Sequence, residues 1–128
     1  MRPAGLVQSA AERFLEGADE SFLACFHEDA AVYWEPAVSR QPIVSSRAAL
    51  AEWLGRLREE HPRLNVSVTE PVDCGPGAVC EVVVTQDVVP DEVWRVAVAV
   101  CLTDDRIREV RAFWSTEAAK HWVADFQK

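Results

Sequence analysis

The chain has 128 residues, 49% of them apolar, and carries a formal net charge of −8 at pH 7. This length suits one domain, residues 1–128, with a substantial core, and the apolar fraction excludes a disordered chain. The negative charge argues against binding to nucleic acid or to an anionic membrane, because both require a basic surface.

The sequence also predicts where the protein resides. It has no apolar run of the ~18–20 residues that span a bilayer, and no apolar segment typical of a signal peptide. The four cysteines form no C-x-x-C pair and have no histidine at zinc-ligand spacing: Cys25, Cys74, Cys80 and Cys101. We therefore predict a soluble, cytoplasmic protein with four free thiols and no metal site.

Apolar residues at helical spacing predict three helices before the long strands. The first runs roughly from Ala4 to Glu16, and Asp19 then caps a short second helix that buries Phe22, Leu23 and Phe26. Ser46 is the expected N-cap of the third, which His61-Pro62 ends because the residue before proline avoids the α region. Its apolar stripe recurs at i, i+3, i+4 and i+7: Leu50, Trp53, Leu54 and Leu57.

The segment from Asp29 to Pro36 reads D-A-A-V-Y-W-E-P and predicts a strand between the second and third helices. β-branched and aromatic residues fill it, and Pro36 ends its hydrogen bonding. Glu35 therefore stands at the end of an apolar strand, where a carboxylate can act as a general base at the lip of a pocket. The alternative is that Glu35 faces water beside a turn.

Alternating residues predict strands through most of the second half. Leu64 to Val68 alternates, and long strands follow over Val79–Val89, Val93–Leu102 and Ile107–Trp114, with a hairpin turn at Thr103–Arg106. Sequential strands favour an antiparallel meander. Thr116 is the expected cap of a short C-terminal helix, so the pattern predicts an α+β fold in which a curled sheet wraps around N-terminal helices.

The two faces of this sheet differ in composition. The first is nearly all apolar and should lie under the helices, with Val82, Val84, Trp94, Val96, Val98, Val110 and Trp114 among its members. The second mixes charges with small apolar residues, which favours contact with a partner over contact with water. We therefore predict a homodimer through this second face, with an interface formed by Glu81, Arg95, Ala97, Ala99, Arg111 and Phe113.

The order of elements resembles the nuclear-transport-factor-2-like superfamily, whose members are also called SnoaL-like or ketosteroid-isomerase-like. The resemblance spans the whole chain and rests on the runs F-H-E-D-A-A-V-Y-W-E-P, L-x-x-W-L-x-x-L and R-I-R-E-V-R-A-F-W-S. It implies a cone-shaped, cystatin-like roll with a deep apolar pocket, usually in a dimer. We expect no cofactor. It is a match of pattern, so it supports the fold more strongly than any activity.

Ketosteroid isomerases use a carboxylate before a proline as base, and Glu35-Pro36 resembles that position. Their oxyanion hole combines a tyrosine and a protonated aspartate. Phe14 and Val98 fall nearest to those two places, and neither side chain donates a hydrogen bond. Because each missing donor costs ~3 kcal/mol of transition-state stabilisation, the sequence argues against steroid isomerisation.

Two other chemistries of the superfamily also find few matching residues. Limonene-type epoxide hydrolases need an Asp-Arg-Asp cluster, but two of the long-strand arginines, Arg95 and Arg111, map to the second face. Scytalone-dehydratase-like enzymes need pocket histidines, and His27, His61 and His121 lie at or on helices. A SnoaL-like cyclase needs one carboxylate, which Glu35 can supply.

Two functions remain open at this point. One is a cofactor-independent isomerase, cyclase or lyase for a small hydrophobic molecule, with Glu35 and Tyr33 as catalytic residues. The other is a non-catalytic ligand-binding or dimerisation module. Both predict a pocket walled by aromatic and aliphatic side chains: Phe14, Trp34, Trp53, Val82, Val84, Trp94, Val96, Val98, Val110 and Trp114.

Overall fold

A computed structural model describes residues 2–33, 42–62, 64–86 and 89–126, with the backbone only for residues 64, 86 and 89–94. Helices α1 and α2 precede strand β1, α3 follows it, five strands come next and α4 closes the order. The bounds are α1 Pro3–Leu15, α2 Asp19–Leu23, β1 Phe26–Tyr33, α3 Arg47–Glu60, β2 Leu64–Val68, β3 Val72–Cys74, β4 Gly77–Gln86, β5 Val89–Thr103, β6 Arg106–Phe113 and α4 Thr116–Asp125. The α+β class and the short C-terminal helix are confirmed.

The helix ends follow local chemistry. Pro3 occupies the first turn of α1, where its missing N–H costs nothing, and Gly17 follows the helix with a φ of 75° that favours glycine. The Ser46 hydroxyl accepts a hydrogen bond from the Ala49 N–H, as predicted for the start of α3. The cap of α4 is Ser115 rather than the expected Thr116, because the Ser115 hydroxyl accepts from the Ala118 N–H.

The predicted meander is confirmed, since β4, β5 and β6 pair antiparallel in chain order. The sheet curls without closing and has the strand order β1-β6-β5-β4-β2, with β3 also paired to β4. The β5–β6 turn places Asp104 and Asp105 at φ values of 54° and 61°, the left-handed pair of a tight hairpin. One edge was not foreseen: β1 pairs with β6 in parallel.

Strand β1 begins three residues earlier than the sequence predicted. Phe26 was expected on α2, but that helix ends at Leu23 and Phe26 starts the strand with 4% of its surface exposed. Helix α2 has only five residues, less than two turns, and it ends before Phe26. Trp34, Glu35 and Pro36, the expected end of this strand, lie outside the described residues.

The two faces of the sheet pack against different helices. The inner face, which carries Cys80, Val82, Val98, Val100 and Val110, belongs to one apolar cluster with α1 and the start of α3. The outer face carries Val79, Ala97, Ala99 and Cys101, and forms a second cluster with Ala119 and Val123 of α4. The fold therefore has two cores separated by one sheet.

The predicted dimer interface is wrong at its centre. Ala97 and Ala99 are 3% and 0% exposed, because α4 of the same chain covers them. Phe113 packs on the same cluster, with its ring centroid 6.0 Å from that of Trp122 in α4. Small apolar residues on a sheet face can pack against a helix of their own chain as well as against a partner, and here they pack against α4.

Among the helices of the described residues, none combines the length and the apolar character that a membrane crossing requires.

Candidate ligand-binding site

A cavity of about 320 Å³ lies between the inner face of the sheet and the N-terminal helices. Its floor is formed by valines of β4, β5 and β6, and its roof by one side of α1 and α3. The side chains of the sheet and of these helices do not fill the space between them. Cavities of this size are at the lower end of the range that holds small organic ligands.

Six of the ten predicted pocket residues line this cavity: Phe14, Trp53, Val82, Val84, Val98 and Val110. Val96 is 1% exposed and packs in the same cluster without reaching the cavity. The side chains of Trp34 and Trp94 lie outside the described residues. Strand alternation accounts for the agreement, because Val82, Val84 and Val98 occupy the inner-facing positions of β4 and β5.

Trp114 is a correction, since it was expected in the pocket and is instead 64% exposed. The strand β6 ends at Phe113, so the alternation that places Val110 and Ala112 inward does not extend to Trp114.

Tyr33 is also placed differently from the prediction. It pairs with Arg111 across β1 and β6, and the Arg111 guanidinium carbon lies 3.9 Å from the centroid of the Tyr33 ring. Arg111 also lies 5.2 Å from the ring of Trp122 in α4, so this stack belongs to the outer face. The preceding residue, Val32, lines the cavity. Tyr33 therefore cannot assist chemistry inside the cavity, and Glu35, the other predicted catalytic residue, lies outside the described residues.

Sequence reasoning missed the aromatic wall made by the first two helices and β1. The rings of Phe14 and Phe22 have centroids 5.4 Å apart, and those of Phe22 and Phe26 are 4.9 Å apart in an edge-to-face arrangement. All three line the cavity. Phe22 and Phe26 were expected to be buried, but no sequence signal shows that burial here means facing a cavity.

Polar atoms are sparse in the described part of the wall. The only polar side chains among the described lining residues are Trp53, His61 and Cys80, and none of the lining residues is a carboxylate, lysine or arginine. Burial raises the pKa of the Cys80 thiol to about 11, so Cys80 is protonated at neutral pH and is a poor nucleophile. In the part of the chain that the structure describes, no three His, Cys, Asp or Glu residues are grouped to hold a metal ion.

A groove of about 220 Å³ adjoins the cavity at the ends of α1 and α3. Phe14, Leu57, His61 and Val66 line both spaces, so the groove and the cavity are neighbours. Arg58 also borders the groove. One of its Nη atoms donates to the carbonyl oxygen of Phe14 at 2.7 Å and to the carboxylate of Asp19 at 2.9 Å.

The curled sheet with helices over an apolar cavity is typical of the cystatin-like α+β fold. A cystatin-fold protein from Novosphingobium aromaticivorans matches with a TM-score of 0.74 and 13% identity, over 88% of this chain and 98% of that one. Residues 7–120 match the family model of the SnoaL-like domain, and the chain belongs to that family.

Two solved structures from the same comparison carry activity names. A candidate polyketide cyclase from Xanthomonas campestris pv. campestris is 25% identical with a TM-score of 0.65, over 96% of this chain and 95% of that one. A candidate ketosteroid isomerase from Kribbella flavida DSM 17836 is 23% identical with a TM-score of 0.70, over 88% and 77%. A search of curated proteins found no match.

Proposed function

We propose that this protein binds a small apolar molecule in the cavity under α1 and α3. The observation that carries the proposal is an internal space of about 320 Å³ whose described wall is almost entirely aliphatic and aromatic. Transfer of apolar surface from water into such a space is favourable by about 25 cal/mol per Å². TerC, which has the same fold at a TM-score of 0.70, is co-crystallised with polyporic acid.

The finer proposal is catalysis, with Glu35 as the acid/base of an isomerase, cyclase or lyase. Its support is the carboxylate-proline pair in the sequence, together with neighbours of this fold that carry isomerase and cyclase names. The described wall offers no carboxylate for this role, so catalysis depends on Glu35. Glu35→Gln preserves shape and removes the titration, and we expect it to retain ligand binding while abolishing turnover. If a substrate is found and Glu35→Gln converts it at the wild-type rate, this finer proposal is wrong.

Binding can be tested by filling the cavity from its floor. Val82 points inward from β4 and is 7% exposed, whereas its neighbour Val83 is half-buried on the outer face. Val82→Phe occupies part of the cavity, and Val83→Phe adds the same ring on the opposite side of the strand. Naphthalene is a suitable apolar probe, and its binding can be followed by isothermal titration calorimetry.

We expect wild type and Val83→Phe to bind naphthalene with similar affinity, and Val82→Phe to bind it at least about tenfold more weakly, since the ring and the probe compete for the same volume. Circular dichroism and urea unfolding check that both variants are folded. Equal affinity of Val82→Phe and Val83→Phe, or the absence of binding to wild type, contradicts the proposal.

A homodimer remains a proposal, although through a smaller surface than the sequence predicted. With Ala97, Ala99 and Phe113 under α4 and Arg111 stacked between rings, Glu81 and Arg95 are the predicted interface residues left near solvent. Two copies related by a twofold axis can place Glu81 of one against Arg95 of the other. Analytical ultracentrifugation at micromolar concentration tests the state. Arg95→Glu should weaken a dimer, and Arg56→Glu on the exposed side of α3 is the control.

A further inference from the structure

The groove beside the cavity differs from the cavity in the chemistry of its wall. The cavity wall is apolar, whereas the groove is bordered by Arg58, which follows Leu57 on α3. His61 and Phe14 line both spaces, so the two spaces lie next to each other. A ligand longer than the cavity would therefore leave its apolar body inside and place its end beside Arg58.

Arg58 is held in position but is incompletely paired. Its guanidinium carbon lies 4.6 Å from the centroid of the Phe14 ring, and one Nη is shared between the Phe14 carbonyl and Asp19. Its Nε is buried and has no hydrogen-bond partner among the described residues. An unpaired buried donor is unfavourable, and an acceptor brought to it would relieve that cost.

We propose that the cavity and the groove form one site for a planar aromatic carboxylic acid, whose ring lies among Phe14, Phe22 and Phe26 and whose carboxylate is bound by Arg58. The proposal rests on the proposed binding function of the cavity and adds the class of ligand. The three rings offer edges and faces to a flat aromatic body. The guanidinium fork offers parallel N–H groups to a carboxylate.

Local rather than overall charge must provide this recognition. The net charge of −8 repels anions at long range, so an acid gains only from contacts in the groove. Asp19 competes with the ligand, because its carboxylate lies 2.9 Å from an Arg58 Nη. The Arg58 side chain is 38% exposed and lines the groove, so part of the guanidinium is open to a ligand there.

The test compares naphthalene with 2-naphthoate, which differ only in the carboxylate, by isothermal titration calorimetry at pH 7. We expect wild type to bind 2-naphthoate about tenfold more tightly than naphthalene, the effect of one charge-assisted hydrogen-bonded pair. Arg58→Gln should remove that preference and change naphthalene affinity less than about twofold. Arg56→Gln, at an exposed position on the same helix, is the matched control and should change neither affinity.

Asp19→Asn provides a second variant whose effect has the opposite sign. It removes the competing charge, so 2-naphthoate should bind about threefold more tightly while naphthalene affinity is unchanged. This variant decides the question if Arg58→Gln does not fold, since loss of structure cannot strengthen binding. If wild type binds naphthalene but shows no preference for 2-naphthoate, or if Asp19→Asn leaves 2-naphthoate affinity unchanged, the ligand class is wrong while the cavity function stands. If neither compound binds, both proposals fail.

Discussion

Helices cover apolar residues on both faces of the sheet, and the apolar cavity found among the described residues lies on the inner face. On the outer face, Ala97 and Ala99 lie under Ala119 of α4, and Ala99 and Ala119 are completely buried. On the inner face, larger residues such as Val82, Val98 and Val110 surround about 320 Å³ of space. The face with the smaller side chains is therefore the better filled one.

The reason for this difference is geometric. A helix approaches a sheet closely where the facing residues are alanines, and the interior then reaches the density of close packing. On the inner face, the valines of the sheet and the side chains of α1 and α3 leave the space of the cavity between them. We therefore expect ligand binding to depend on the inner face and the packing of α4 to depend on the outer one. Four predictions test this division.

The largest effect is expected for Ala99→Arg. Ala99 is completely buried beneath α4, so a guanidinium at this position would be removed from water. Its neighbours directly opposite in the sheet are Val79 on β4 and Arg111 on β6, and neither is a carboxylate. We expect a loss of about 3–5 kcal/mol in the free energy of unfolding. Urea unfolding followed by circular dichroism measures it.

Val83→Arg is the control for that prediction, since Val83 lies on the outer face in a half-buried position. Its cost should be smaller than that of Ala99→Arg by at least about 2 kcal/mol. If Ala99→Arg instead remained as stable as wild type and only changed the oligomeric state, α4 would not cover Ala99 as described.

The second prediction concerns pH and the two buried thiols, one on each face. Burial and, to a smaller extent, the negative charge of Glu109 raise the pKa of Cys101 to about 12, while burial raises that of Cys80 to about 11. Because the folded state holds these protons more tightly than the unfolded state, the contribution of the two thiols to the free energy of unfolding is fully present below pH 9. This contribution is lost as pH rises from about 9 to 11 for Cys80 and from about 9 to 12 for Cys101, by up to about 1.4 kcal/mol per pH unit for each thiol.

Unfolding titrations at pH 8, 9.5 and 11 measure this slope, and subtraction of the Cys101→Ala and Cys80→Ala profiles removes the contribution of other groups. Each variant should show a shallower decline than wild type above pH 9. Parallel profiles for wild type and both variants would mean that neither thiol is as buried as the structure places it.

The third prediction tests how α4 is held on the outer face. Arg111 lies between Tyr33 of β1 and Trp122 of α4, and its Nη donates to Glu109 at 3.3 Å. Arg111→Leu keeps most of the apolar volume and removes the charge. We expect a loss of about 1–2 kcal/mol, the size of two partly buried cation–π contacts. Urea unfolding followed by circular dichroism measures it.

Arg106→Leu is the matched control, because Arg106 is exposed at the start of the same strand. It should change the free energy of unfolding by less than about 0.5 kcal/mol. Equal effects of the two substitutions would mean that the stack adds nothing to stability.

The smallest effect is expected for Val110→Ile on the floor of the cavity. The extra methylene enters open space, so stability should change by less than about 1 kcal/mol. The affinity for naphthalene should nevertheless fall measurably, since the cavity is at the lower end of ligand-binding sizes. A substantial loss of stability would show that this part of the inner face is already filled.

Much of the fold and part of the site followed from the sequence by itself. Period-two alternation determined that Val82, Val84 and Val98 share a face, and the Ser46 cap with its apolar stripe determined α3. These are local signals, carried by residues within one strand or one helical turn. They were sufficient for most of the cavity floor and for the element order except β3, whose three residues Val72–Cys74 are too few to show an alternation.

Tertiary structure decided the rest. Alternation shows that Ala97 and Ala99 need to be covered, but only the path of the chain after Phe113 shows that α4 covers them. This took Ala97, Ala99 and Phe113 out of the predicted dimer interface. The pairing of Tyr33 with Arg111 decided on which face of the sheet Tyr33 lies. Trp114 is exposed and not in the pocket because β6 ends one residue before it. Likewise, Phe14, Phe22 and Arg58 come together only when α1, α2 and α3 pack, since the residues of a site are neighbours in space and not along the chain.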